Sequence, residues 1–402
     1  MEILDVRETT LLKIGLVQLI IFALLIFALV NRQPNLSLLL LVLLVFIHGA
    51  RLWSKMSPDR LTVQSSLDRN RVFPGEKVLL TLRAENHKLL PVWLHPVLPI
   101  PEELADTNYE AISLRDQSLL WYQSAKFATT LAPQRRGIYQ IGPPRLIVGD
   151  LLGLYPRRKQ EEQDRLELIV YPRPCPLRPF AYIKRDLFGS PGGKSPVQDP
   201  VYLLGTRDYQ AGRPSRYIHW VASARLNRLQ EREFEPSRQA RVLFLLDASS
   251  FAIAKAVKLF EKSIEVLASL AIQCDRQGFG LGLATDGRVT GNRSPIVPVG
   301  RSGRQTTLIL ETLAAVSLVN LTSEYCLTET LKRIEGIDSG LSCILFTLSR
   351  SAAAMGAASM LRQKNLALTT VYCLEENTVA HEGNYPKTMP LADLLPQEAT
   401  KA

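Results

Sequence analysis

Two apolar runs at the start of the chain constrain its folding more than any other feature. Leu11 to Val30 is almost wholly apolar, broken only by Lys13, Gly15 and Gln18. As a helix rising ~1.5 Å per residue, such a run matches a hydrocarbon layer ~30 Å thick. Asn31-Arg32-Gln33-Pro34-Asn35 supplies a tight polar turn. A second run then extends from Leu36 to Ile47 and on through His48-Gly49-Ala50 to Leu52-Trp53. Together they read as a two-pass transmembrane hairpin over residues 1–56. A cleaved signal peptide is the competing reading, but the length of the first run and the second one directly behind it speak against that. Arg7, Lys13, Arg51, Lys55 and Arg60 flank the outer ends, whereas the turn holds only Arg32. That asymmetry places both termini, and all later domains, on the cytoplasmic side of the cell membrane. Trp53 suits an interfacial anchor. Neither span carries the buried ionisable chain that a conduction path needs, so the hairpin reads as an anchor.

The formal net charge of +10 calls for an anionic partner,. With apolar helices present, the membrane surface and its lipids are the simplest one. A basic helix or strand studded with aromatic residues, of the nucleic-acid-binding kind, is not evident. The five cysteines, at 175, 274, 326, 343 and 373, are widely spaced without a C-x-x-C pair. They imply neither a disulfide framework nor a zinc site, and most fall in apolar runs as core residues.

From 57 to 175 the pattern changes to short alternating runs, such as Val78-Leu79-Leu80-Thr81-Leu82-Arg83-Ala84, punctuated by Pro74-Gly75, Pro91, Pro99, Pro133 and Gly142-Pro143-Pro144. Strands with such turns indicate a β-sandwich-like domain, serving as an interaction module or as a spacer. Arg157-Arg158-Lys159 reads as a solvated loop. Residues 176–240 form a linker and a polar segment. The linker, Phe188 to Pro200, contains Gly192-Gly193-Lys194-Ser195, but Phe188 stands where a phosphate loop needs its first glycine and no apolar strand leads in,.

The polar segment carries Arg207, Asp208, Arg213, Arg216, His219, Trp220 and Arg225. These could form an anion site or docking surface. Alternatively they form a charged network that ties the segment to the sheet, with Trp220 as a packing anchor. A hydrolytic site built from Ser215 or Ser249 with His219 and Asp208 lacks the strand-turn-helix that presents a serine.

Residues 241–402 alternate strand and helix: Val242–Leu246, a long helical pattern from Phe251 to Gln277, Phe279–Ala284, an edge strand ending near Pro298, a helix from Thr306 to Leu318 and another from Thr328 to Ile334, Ser342–Thr347, a helix from Ala352 to Lys364, and Leu366–Cys373 as the last clear strand. This implies a mostly parallel, doubly wound α/β sheet. Gly280 and Gly282 lie inside a strand, where small residues permit close packing. Asp247 ends the first strand, where open α/β sheets place ligands. It can also cap the helix that follows.

The ordered set Gly205-Thr206-Arg207-Asp208-Tyr209-Gln210-Ala211-Gly212, Arg216-Tyr217-Ile218-His219-Trp220, Ala222-Ser223-Ala224-Arg225 and Glu233-Phe234-Glu235 resembles the signature of the DUF58 family. The resemblance implies a membrane-anchored bacterial protein with a von Willebrand factor A-like domain, working with a MoxR-type AAA+ ATPase in protein assembly or maturation. It also implies a Mg²⁺ motif, Asp-x-Ser-x-Ser with a later Thr and Asp. Here Asp247 and Ser249 match, but Phe251 holds the second serine position and Thr347-Leu348-Ser349 replaces the later Thr-Asp-Gly. These departures favour a metal-independent docking surface over a Mg²⁺ site at Asp247 and Ser249. A non-enzymatic, membrane-anchored scaffold with no small-molecule substrate is therefore expected. The alternatives are a membrane-bound metal-dependent hydrolase and a lipid-organising scaffold.

Overall fold

A computed structural model describes residues 8–101, 104, 111–151, 155–160, 165–179, 198–209, 218–236, 241–318, 327–334, 341–364, 366–373 and 387–396. The chain divides into two units, Met1–Val170 and Tyr171–Ala402.

The first unit opens with helices α1 (Glu8–Val30) and α2 (Pro34–Met56), joined by a turn in which Arg32 takes a φ of 47°. Ile21, Ala28 and Leu40 pack between them, with Leu25, Leu44 and Ile47 alongside. Their outer faces stay apolar: Leu19, Phe27, Leu38, Leu39 and Val45 are all more than 60% exposed. A helix pair apolar all round is suited to lipid. By length and composition α2 can cross a membrane, while the described apolar part of α1, Gly15–Val30, is shorter.

Eleven strands follow among the described residues: β1 (Leu61–Leu67), β2 (Arg71–Val72), β3 (Val78–Asn86), β4 (Val92–Pro99), β5 (Ala111–Ser113), β6 (Gln117–Leu119), β7 (Ser124–Leu131), β8 (Gly137–Ile141), β9 (Arg145–Gly149), β10 (Arg157–Gln160) and β11 (Leu166–Val170). They form sheets β1-β3-β7, β10-β9-β4-β5 with β6 also on β4, and β2-β11-β8. Strict alternation buries one face, as in β3, where Val78, Leu80, Leu82 and Ala84 point inward,. Leu61, Val63, Leu82, Ala84 and Phe127 from the first sheet share a core with Leu94, Leu146 and Val148 from the second. Two sheets with one apolar layer between them make the sandwich-like arrangement. Arg157-Arg158-Lys159, expected as a loop, is edge strand β10. It pairs with Leu146–Val148 of β9, and the Lys159 ammonium bonds the Leu61 carbonyl. Exposed cations are what an edge strand needs, so loop and edge look alike in sequence.

In the second unit β12 (Gln198–Asp208) and β13 (Gln230–Pro236) form an antiparallel pair carrying helix α3 (Trp220–Leu226) between them. There follow β14 (Arg241–Leu246), α4 (Ala248–Ile253), α5 (Val257–Arg276), β15 (Gly280–Thr285), β16 (Arg288–Val289), β17 (Ile296–Gly300), α6 (Gln305–Ala315), β18 (Val316–Ser317), α7 (Leu327–Lys332), β19 (Leu341–Thr347), α8 (Ala352–Gln363), β20 (Ala367–Tyr372) and β21 (Lys387–Pro390). The main sheet runs β17-β15-β14-β19-β20-β21, parallel except for edge strand β17. Leu243 and Leu245 of β14 pack with Leu331 of α7 and Leu361 of α8, while Val242, Phe244 and Leu246 are fully buried on the other face. This is the unbroken apolar run of a strand covered on both sides. Cys274, Cys343 and Cys373 are buried free thiols, as core cysteines should be.

Three expectations need correction. The single helix from Phe251 to Gln277 is two helices, because Lys255 adopts a φ of 53° between them. The helix from Thr306 ends at Ala315, and the next two residues form β18 against β16. The sheet also does not stop at Cys373, because β21 adds a parallel strand beyond β20. Residues 188–197, with the glycine-rich linker, and Cys326 lie outside the described residues.

Candidate functional site

The carboxyl end of β14 holds a buried polar knot. Asp247 follows the last strand residue, is fully buried, and donates its amide to the Phe346 carbonyl of β19 at 2.9 Å. Its Oδ1 accepts from the Ser249 hydroxyl (2.8 Å) and the Ser250 amide (3.2 Å), which makes it the N-cap of α4,. Its Oδ2 accepts from Thr347 Oγ1 (2.7 Å), at the end of β19, and from Ser351 Oγ (2.8 Å). Ser351 itself caps α8, accepting from the Ala354 amide at 3.0 Å. One carboxylate thus ties two strand ends to two helix starts.

A second acid stands beside it. Asp286 follows β15 as Asp247 follows β14, and the parallel register sets Leu246 opposite Thr285. Asp286 is 2% exposed, and its Oδ1 accepts the Ala248 amide at 2.7 Å. Its Oδ2 is buried without a hydrogen-bond partner. Burial pushes its carboxyl up to about 7, and the Asp247 charge adds to the rise,. The Ser249 hydroxyl and the Ala248 and Ser249 amides oppose it. Sequence reading passed over Asp286 because Thr285-Asp286-Gly287 scans as a turn. The missed signal was an Asp directly after each of two adjacent parallel strands.

These residues do not fit the Mg²⁺ arrangement that the resemblance implies. Both oxygens of Asp247 are already engaged by protein groups, Oδ2 by Ser351 and by Thr347, whose hydroxyl also lies 2.8 Å from the Ser349 carbonyl. Phe251, at the second serine position, is fully buried with its ring 5.5 Å from that of Phe260. Buried Leu348 stands where the later acid would be. The extra carboxyl comes instead from Asp286, on the neighbouring strand.

The polar segment forms a second group. Asp208, at the end of β12, accepts from Gln230 Nε2 and pairs with Arg228 Nη1 at 3.2 Å. His219 N-caps α3: its Nδ1 accepts the Ala222 amide at 3.1 Å, which places the neutral ring's proton on Nε2,. Ser223 Oγ accepts the Gln230 amide at 2.8 Å, and Asn227 closes the helix with a φ of 49°. Trp220, expected as a packing anchor, is 66% exposed instead. Helix α3 is held by its backbone and by Ser223, which leaves the indole free. Val221, Leu226 and Leu229 are exposed with it, as are Arg225 and Arg228. Together with Ser223, Ala224 and Asn227, the residues Trp220, Arg228 and Leu229 line an open cavity of about 360 Å³. Arg207 is a β12 residue whose backbone lies opposite Glu231 in the β13 register. Arg213 and Arg216 lie outside the described residues.

Residues 205–330, which include α3 and both acids of the knot, match the family model described as "Protein of unknown function DUF58". The uncharacterized protein YeaD of Bacillus subtilis (strain 168) is 27% identical over 229 residues, 55% of each chain. The chain thus spans about half the length of that relative. The two findings support a DUF58 protein. Among solved structures, the Pseudomonas fluorescens alkylpurine DNA glycosylase AlkC, bound to abasic-site DNA, is 11% identical, with coverage of 32% of this chain and 38% of its own at a TM-score of 0.20. A PapD-like domain of human CEP192 is 16% identical, covering 28% of this chain and 86% of its own at 0.19. Neither likeness is close enough to carry an argument.

Proposed function

We propose that the protein is a non-enzymatic docking protein, anchored in the cell membrane by α1 and α2, with its von Willebrand factor A-like head recruiting a MoxR-type AAA+ ATPase from the cytoplasm. One observation carries this reading. Within the DUF58-matching region, a short helix exposes Trp220, Val221 and Leu226, with Leu229 beside it, between Arg225 and Arg228. Exposed apolar chains grouped into one patch rimmed by polar residues mark an interaction site. A Trp and Arg cluster around a shallow cavity is what interface hot spots are made of. The knot at Asp247 supports the same reading, because its carboxylate is committed to holding strand and helix ends.

The test is capture of a MoxR-type ATPase by the detergent-solubilised full chain, with ATP and with ADP. Binding is expected for the wild type, with a loss of about 2 kcal/mol or more for Trp220→Ala. Capture in neither nucleotide state would refute the partner, and undiminished capture by Trp220→Ala would refute the surface. Hydrolytic turnover by the purified chain, lost on replacing Asp247 while capture persists, would favour the metal-dependent hydrolase instead.

A further inference from the structure

The β-rich part of the first unit meets the end of α2 through Gly149 and Tyr155, whose carbonyls accept from Ser57 and Ser54, and through two loops that carry exposed apolar tips. The Lys88 ammonium bonds the carbonyls of Met56, Ser57 and Asp59, where α2 runs out of internal partners. A cation there also complements the negative end of the helix dipole. Trp53 Nε1 donates to the Pro91 carbonyl at 2.7 Å. Buried Asn86 joins the two loops, its Nδ2 donating to the Leu90 and Leu120 carbonyls at 2.9 Å each. The Tyr122 amide donates to the Lys88 carbonyl at 3.3 Å. Loops 87–91 and 120–123 are therefore fixed at the level of the last turn of α2.

At their tips Leu89 is 72% exposed, Leu120 44%, Trp121 59% and Tyr122 68%. Tyr122 also holds a φ of 52°. For a bulky aromatic that conformation is strained by about 1 kcal/mol, where glycine or asparagine would be free of it. The exposed apolar face of α2 continues to the same level through Leu52 and Met56, and Arg51, Lys55 and Arg60 are exposed around it.

We infer that Leu89, Leu120, Trp121 and Tyr122 form a collar that seats the β-rich part on the bilayer around the emergence of α2. This rests on the reading of α1 and α2 as membrane helices. The occupant is the lipid interface, because the collar continues the lipid-facing side of α2. Amphipathic Trp and Tyr rings favour the headgroup level, where the basic residues meet anionic lipid. The β-rich part would then be held at a fixed height above the membrane.

The test uses the full chain reconstituted into vesicles of equal parts phosphatidylcholine and phosphatidylglycerol, with or without bromine on the acyl chains. Flotation with the vesicles checks the anchor. In floating chains, Trp121→Phe is expected to remove part of the emission that brominated lipid quenches. Unchanged quenching in Trp121→Phe with flotation intact would overturn the collar alone. Failure to float in alkaline carbonate would overturn the anchor and the collar with it. The Phe variant keeps an apolar ring on an exposed turn, so folding is not at risk.

Discussion

Replacing Asp286 by asparagine isolates what a half-satisfied acid costs the sheet. The wild-type carboxyl is 2% exposed, spends Oδ1 on the Ala248 amide, and has no hydrogen bond to Oδ2. Its pKa rises from 3.8 to about 7 on folding, burial first and the Asp247 charge second. A carboxyl raised in this way holds its proton more tightly in the folded chain. Its favourable contribution is full below its unfolded pKa of 3.8 and is lost as pH climbs through about 7,. The displacement of about three units corresponds to about 4 kcal/mol, of which about 3 kcal/mol falls between pH ~5 and ~8.5. Asparagine keeps an oxygen for Ala248 and has no proton to lose. Against this stands its amide group, which needs an acceptor of its own at a cost of about 1 kcal/mol or more. In urea unfolding of the full chain in mild detergent, read by pulse proteolysis of the second unit, Asp286→Asn is therefore expected to be more stable than wild type by about 1–3 kcal/mol at the alkaline end. The advantage should vanish or reverse at pH ~5. Parallel pH profiles for the two chains would refute the reasoning, because the titrating group would then lie elsewhere.

Two further outcomes follow from the same sheet. A Cβ at Gly282 would lie 2.6 Å from Val299 Cγ2 and 3.1 Å from the Val297 carbonyl, both on the edge strand β17. Gly282→Ala should lower stability by about 1–3 kcal/mol in the same unfolding assay, and an unmoved midpoint would show that β17 can retreat. Adding Mg²⁺, or removing it with a chelator, should leave that midpoint in place to within about 0.5 kcal/mol. A rise that grows with Mg²⁺ concentration would show the hydroxyls around Asp247 turning their lone pairs to a cation.

Much of the second unit was legible because long elements announce themselves. Val242 to Leu246 is an unbroken apolar run ending in an acid, and Asp247 caps the following helix as that placement implies. What escaped was decided by tertiary contact rather than by local preference. Ala254-Lys255-Ala256 contains only good helix formers, so nothing local marks the break that Lys255 makes,. Strand β21 is four residues long and ends in Pro390, too short to show a period and with a residue that usually demotes a strand,. Trp220 lies in a helix of seven residues, where two turns cannot define a buried stripe, and a large apolar ring is read as core by default,. In the first unit, the tips at Leu89 and Trp121 were invisible because only folding brings both loops to the end of α2.

The two polar groups of the second unit differ in kind, and the difference governs how variants are to be interpreted. Asp247 is fully buried and draws on Ser249, Ser250, Thr347 and Ser351, so its removal would strand the Ser250 amide and loosen the hydroxyls of Ser249 and Ser351 at the meeting point of β14, β19, α4 and α8, while Thr347 keeps the Ser349 carbonyl. Unsatisfied buried groups cost about 1–3 kcal/mol each, a large fraction of what holds a domain folded. A binding defect in an Asp247 variant would therefore report a loosened carboxyl end of the central strands. Trp220 stands at the opposite extreme. Its indole is 66% exposed, while His219 and Ser223 hold the helix beneath it through backbone contacts that an alanine at 220 leaves intact. A binding defect there, with the unfolding midpoint unmoved, would belong to the contact itself. An exposed ring mounted on a helix fixed from below is what the proposed docking surface would need.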